Sequence, residues 1–417
     1  MRTLNRRVFF ATAAAGFASA AKAQSPDIPE AIRKLRPMTG GIQPISDQER
    51  RARIEKAQKL MREQRLGAVV MEGGSSMFYF TGTRSAATDR TFILVLPARG
   101  EPAWVVPVAD ETRARAAIRL GQDVRAWSGE DGEYKSIAQV LRDRGAAASR
   151  VGIEERTRFE VFDGIRRQIP ALECVSGDAV TAGCRMIKSP AEIALLQRAN
   201  EITIAAYRAA FASLREGMTQ RELSALIAAV YRALGVEGEA MAIFGKYTAY
   251  PHGSIQPQQL REGDLVLVDD GCSVEGYQAD VTRTTVFGKP TPRQREIWEL
   301  ERKAQDAALA AAKPGATCES VDAAARKVIT DYGFGPGYKI PGLPHRTGHG
   351  IGLDIHEWTY LVRGNQTRLE PGMCFSDEPT IAIYGEFGVR LEDCMHITED
   401  GARMFTKQSA AIDQPFG

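Results

Sequence analysis

The sequence carries one pattern twice. Glu216-Gly217-Met218-Thr219 opens a helix that stops at Gly235, and Pro314-Gly315-Ala316-Thr317 opens another that stops at Gly333. Both landmarks are displaced by 98 residues (315 − 217 and 333 − 235). Each start follows a long helix, over 190–212 and 292–312, and precedes a strand-rich stretch. Thr219 with Glu222 three residues on forms a capping box, and a glycine just past a periodic run is a C-cap signal. Two αα-then-β units imply an α+β domain made by duplication, with a pseudo-twofold axis between its halves.

Ahead of the repeat the pattern is mixed. A helix is expected over 47–64, a buried strand over 66–71, a second strand over Met77–Gly82, and strands over 91–96 and 102–107 joined by a hairpin-like turn. A helix over 136–144 and a strand over 150–154 follow, which together read as an α/β layer domain. A break at Val175-Ser176-Gly177-Asp178 divides the chain into an α/β domain over 24–177 and the duplicated domain over 178–417.

Residues 1–23 read as an address. Arg6-Arg7-Val8-Phe9-Phe10 leads into a short apolar stretch and Ala21-Lys22-Ala23, the form of a secretory signal with twin arginines. The mature chain is expected to begin near Gln24 in a bacterial periplasm. The charge count is Lys+Arg 54 against Asp+Glu 52, and the leader holds four of those cations, so the rest stands at 50 against 52. A near-neutral chain offers no electrostatic footprint for nucleic acid or an anionic membrane. The six cysteines form no C-x-x-C pair, and Cys174 with Cys184 is the one pairing worth testing.

All five histidines lie beyond residue 250. Leu265-Val266-Leu267-Val268-Asp269 and the stretch through Asp280 to Thr284 read as two strands of a hairpin, in which the two aspartates, eleven residues apart, can face one another. An acid ending an apolar strand is costly to bury unless it is paired or bound to metal. Three more acidic or histidine-bearing stretches follow: Gly348-His349-Gly350 through His356-Glu357, Asp377-Glu378-Pro379, and Val389-Arg390-Leu391-Glu392-Asp393. The glycines beside His349 are read as letting the backbone approach a bound ion.

In order and local context, Asp269, Asp280, His349, Glu378 and Glu392 resemble the ligand set of the pita-bread metallopeptidases. That family includes Xaa-Pro aminopeptidase, Xaa-Pro dipeptidase (prolidase) and methionine aminopeptidase. Arg185-Met186-Ile187-Lys188-Ser189-Pro190-Ala191-Glu192 is similar to the run that opens their catalytic domain, and the α/β domain ahead of it resembles the aminopeptidase P, prolidase and creatinase branch. The resemblance implies two divalent ions, with manganese leading and cobalt, iron or zinc as alternatives. An oxygen-rich set with one imidazole suits such metals, and four carboxylates balance two dications. It further implies Asp269 on one ion, His349 with Glu378 on the other, Asp280 and Glu392 bridging, and a shared hydroxide attacking an amide. Glu378 would carry the proton, and His356 and His252 would face the substrate. His345 is a further pocket candidate, and Arg390 and Thr282 are candidates to support the ligands. For each of these histidines a structural hydrogen bond is the competing reading, as is a surface ion pair for Arg390; His396 is read as an ordinary hydrogen-bonded histidine. Asp270 and Asp377 depart from the family pattern and are expected to form ion pairs behind the site, while Trp358 and Tyr360 are candidates to shape the pocket.

The leading expectation is an exported hydrolase that removes the N-terminal residue of an Xaa-Pro peptide, in a chain that forms a homodimer as relatives commonly do. Two alternatives stand beside it: the same fold acting on a small non-peptide amide or as a lyase, and a binding module without catalysis.

Overall fold

The computed structural model describes residues 30–85 and 90–417. The expected leader, residues 1–23, and the start at Gln24 lie outside the described residues.

The first layer is a mixed six-stranded sheet built from β1 (Leu66–Glu72), β2 (Ile93–Pro97), β3 (Ala103–Pro107), β4 (Asp123–Trp127), β5 (Arg150–Ile153) and β6 (Cys174–Ser176), in the order β4-β3-β2-β1-β5-β6. β2 and β3 form the antiparallel hairpin, with Leu94 opposite Trp104. Alternation divides the strands between two cores. Ala68, Val70, Ile93 and Val95 pack under the helices Gly132–Asp143 and Phe159–Gln168, through Ile137, Leu141, Val161 and Ile165. Val69, Met71, Leu94 and Leu96 face the other way, into a core continuous with Tyr207, Leu223, Val266 and Val268 of the second domain. One apolar cluster therefore welds the two domains.

The expected strand over Met77–Gly82 is a helix, Ser75–Thr81. An apolar run this short fits either state by periodicity. Here Gly82 adopts φ +72° and its N–H closes the helix on Phe78 O at 2.8 Å, while the Thr81 hydroxyl bonds back to Met77 O at 2.7 Å. The cysteines also correct an expectation. All six thiols are free, and Cys174 borders the core under Gly132–Asp143 whereas Cys184 lies in the core on the opposite face of the sheet.

The duplicated domain pairs helix Pro190–Phe211 with Gln220–Ala233, and Pro292–Ala311 with Cys318–Asp331. Thr219 caps its helix through the expected box with Glu222, and Thr317 caps the second through Ser320 N–H. The repeat extends into the strands. Gly217 N–H bonds Leu260 O and Gly315 N–H bonds Leu369 O, both at 2.8 Å, and the return bonds to Met218 O and Ala316 O are also 2.8 Å. Leu260 and Leu369 are 109 residues apart, and so are Asp269 and Glu378, which places those two acids at equivalent points of the two halves. One half contributes the sheet of Met241–Phe244, Leu265–Asp269 and Arg283–Val286. The other contributes a five-stranded sheet with Gly348–Gly350 between Glu357–Leu361 and Cys374–Asp377.

Gly217 and Gly315 hold φ +78° and +83°, and an added Cβ would meet nothing within 4 Å at either. The cost of Gly217→Ala or Gly315→Ala is therefore conformational alone, about 1–2 kcal/mol. Thermal unfolding should show the two variants destabilised by similar amounts. An unchanged midpoint in either variant would contradict equivalent turns.

Candidate metal centre

Asp269 ends the strand Leu265–Asp269, and the chain returns through Asp280 into Arg283–Val286. The hairpin is real, but its register pairs Val268 with Arg283, so Thr282 rather than Asp280 is the near neighbour of Asp269. The Thr282 hydroxyl lies 2.5 Å from Asp269 Oδ1 and 2.7 Å from Glu392 Oε2. Glu392 is drawn to the same place by its own N–H, which bonds Thr282 O at 3.2 Å.

The second half brings His349 and Glu378. His349 Nε2 lies 3.0 Å from Glu378 Oε1 and 3.5 Å from Asp280 Oδ2. Ligand atoms of Asp280, His349 and Glu392 all fall within 4.8 Å of one another, and these three side chains are buried. Asp269 joins this group through Thr282, and Glu378 joins it through His349. The flanking glycines have a different role from the one expected. A Cβ at Gly348 would come 2.1 Å from Ser376 O, and one at Gly350 would come 2.7 Å from Glu357 O. Neighbouring strands, rather than an approaching ion, require glycine at both positions.

Arg390 is 3% exposed. Its guanidinium ion-pairs Asp269 Oδ2, and its Nε donates to Thr282 Oγ1 at 3.0 Å. Thr284 fixes the Arg390 backbone, accepting its N–H at 3.3 Å and donating to its carbonyl at 2.7 Å. Ser376, which the sequence did not single out, accepts His349 N–H at 3.0 Å and donates to Glu378 Oε1 at 3.1 Å. Its only signal was alternation, two residues before Glu378 on the same face.

The electrostatics are those of crowded buried acids. Burial raises Glu392 well above the carboxylate range, and Asp280, Glu378 and Asp269 add to it. Burial likewise lifts Asp280 to about 6. Burial works against charge on His349, but Glu378 and Asp280 outweigh it and raise the imidazole to about 10. Glu378, despite burial, is held below its ordinary value by that imidazole.

His356 lies on the solvent side, its ring edge-on to His349 with centroids 4.2 Å apart. Desolvation, then His349 and Arg346, push it down to about 4. His252 is exposed, and its proximity adds slightly to the lowering of His356 and His345. His345 turns to Thr380 Oγ1 at 3.0 Å and Arg346 O at 2.7 Å. His396 stacks on Phe405. Tyr360 lies opposite His349 in the ladder and packs against Trp358 and under Arg346.

Asp270 and Asp377 form no ion pair among the described residues, against expectation. Asp270 Oδ2 accepts Met241 N–H at 3.1 Å, and burial with Asp269 and Asp280 lifts its pKa to about 7. Asp377 is fully buried with both oxygens lacking a hydrogen-bond partner, and burial raises it well above the ordinary value. Burial that favours the neutral acid replaces the expected cation partner at both positions.

The residues fit bound divalent cations. Among the described residues Glu392 Oε1 is buried with no hydrogen-bond partner, and Arg390 and His349 are the ion-pair partners of the carboxylates there. Oxygen donors with one imidazole suit hard or borderline dications.

Residues 194–399 match metallopeptidase family M24, and residues 53–187 match the creatinase/prolidase N-terminal domain. The chain is 34% identical over 368 residues to the Xaa-Pro dipeptidase of Lactobacillus delbrueckii subsp. lactis, covering 86% of this chain and 98% of that one. This protein belongs to metallopeptidase family M24. Within that family its fold is similar to a prolidase from Thermococcus sibiricus (TM-score 0.79, 30% identity, 86% of this chain and 96% of that one). It is similar also to dipeptidase PepE from Mycobacterium ulcerans (TM-score 0.81, 30% identity, 88% and 98%). The chain is thus a metal-dependent Xaa-Pro peptidase with the pita-bread fold.

The raised Asp280 yields a test without substrate. The folded metal-free protein keeps a proton that the unfolded chain releases near 3.8, so this contribution is full below that pH and is lost as pH rises through about 6. Thermal unfolding of metal-free protein between pH 4 and 6.5 should show this decline. Asp280→Asn should show a shallower decline, because the raised Asp270 and Glu392 still contribute, and a profile identical in both proteins would contradict the assignment.

Proposed function

We propose that this metallopeptidase is an Xaa-Pro dipeptidase working on two divalent ions held by Asp269, Asp280, His349, Glu378 and Glu392. The observation that carries the reading is the convergence of buried acids around His349 with Glu392 Oε1 left unpartnered. The names of the relatives favour dipeptides as substrates over the longer Xaa-Pro peptides first expected. The twin-arginine pattern of residues 1–23 supports export to a periplasm.

When bound, the ions supply Lewis acidity toward the scissile carbonyl and acidify a water. The chain supplies the rest. Glu378, 3.0 Å from His349, is positioned to accept a proton and return it to the leaving imino nitrogen. His356 is neutral at pH 7 and can donate a hydrogen bond to the substrate or accept one from it beside His349. His252, exposed and within electrostatic reach of His356, is a second candidate on the substrate side. Arg390 and Thr282 hold the Asp269 and Glu392 carboxylates in place, the role of outer partners in metal sites generally.

Chelator-treated enzyme should lose Xaa-Pro hydrolysis and regain it with Mn²⁺ or Co²⁺. Glu392→Ala should lower kcat/KM by at least about a hundredfold. On a panel of Xaa-Pro, Xaa-Pro-Yaa and Xaa-Ala, the dipeptide with proline should be turned over fastest. Full activity after chelation, or turnover confined to a non-peptide amide, would overturn the proposal. Arg390→Met should weaken Mn²⁺ binding about 10–100-fold in calorimetry, whereas unchanged affinity would count against its supporting role.

A further inference from the structure

Arg185 and Lys188 lie at the junction of the two matched regions and take no part in the mechanism above. Both residues are nearly inaccessible, at 6% and 4% exposure, and buried cations persist only when paired. Their shared partner is Glu357, the residue after His356. Arg185 donates to Glu357 Oε1, and Lys188 Nζ donates to Oε2 at 3.1 Å.

Asp354, two residues before His356, is held as firmly. Arg185 donates to its Oδ2 at 2.7 Å, the Ser75 hydroxyl donates to Oδ1 at 2.7 Å, and Arg156 pairs with Oδ1 at 3.0 Å. The loop closes on the Glu357 carboxylate. Asp354 N–H donates to its Oε1 at 3.0 Å, and a Cβ at Gly352 would lie 2.7 Å from its Oε2. Glu357, the first residue of the strand Glu357–Leu361, points back into this cluster, while His356, in the bend just before it, turns its ring onto His349. The anchors come from outside the catalytic sheet: Ser75 and Arg156 from the α/β domain, and Arg185 and Lys188 from the junction.

We propose that Arg185 and Lys188, with Ser75 and Arg156, form a clamp that positions His356 by gripping the acids on either side of it. The α/β domain thereby sets the geometry of a substrate-side group. The inference rests on the reading of His356 given above. A displacement of about 1 Å at such a group is enough for a large loss of rate.

Glu357→Gln keeps the shape and removes the charge. It should lower kcat about tenfold or more while KM and bound Mn²⁺ change less than about twofold. In a His356→Ala background the same change should cost less than about twofold, because both act through one group. Losses that multiply in the double variant would overturn the clamp. Arg156→Ala and Ser75→Ala remove partly accessible arms and guard against a variant that fails to fold. They should show smaller losses with the same non-additivity. In metal-free protein, the His356 ring resonance and its cross-peak to His349 should shift in Glu357→Gln and in Arg156→Ala. An unshifted resonance would refute the clamp even if Xaa-Pro hydrolysis itself proved absent.

Discussion

The mutual repulsion of buried carboxylates governs this structure. Asp269, Asp280, Glu378 and Glu392 are drawn out of water into one place, with Asp270 and Asp377 behind them. Arg390 and His349 are the cations set among them, and an uncompensated buried charge costs several kcal/mol. The frame around the site is correspondingly stiff. Arg283, wholly inaccessible, ion-pairs Asp393 at 2.6 Å and donates to Glu392 O at 2.8 Å, so the strand carrying Glu392 is pinned from below. Thr282 and Ser376 each span two groups of the site.

Duplication explains how a chain gathers such a set. Equivalent turns at Gly217 and Gly315 return strands to equivalent places, and the two halves then present Asp269 and Glu378 at equivalent points of the repeat. Neither half contains enough donors alone. The α/β domain shares a continuous apolar core with the first half and grips the 354–357 loop of the second, so its packing bears directly on the site.

Much of this was legible in the sequence, for identifiable reasons. The Thr219 box, the two C-cap glycines and the β2–β3 hairpin rest on local chemistry, and they appear where local chemistry puts them. The five candidate ligands could be picked out because each sits in a distinctive local neighbourhood, and the structure brings their side chains together. Met77–Gly82 reads as a strand because its short apolar run carries no period, and the cap at Gly82 is the better guide to the helix Ser75–Thr81. Asp270 and Asp377 were assigned partners because a charged acid needs one. Their depth in the fold, which favours the neutral form, is not written in neighbouring residues. Arg185 and Glu357 are 172 positions apart, and no local pattern announces that pairing.

The central claim is that one cage of side chains holds two cations. Anomalous diffraction at the manganese edge, from crystals of the protein grown with Mn²⁺, addresses it most directly. The account predicts two peaks about 3.5–4 Å apart, enclosed by Asp269, Asp280, His349, Glu378 and Glu392. Peaks elsewhere, or none among those five residues, would contradict it.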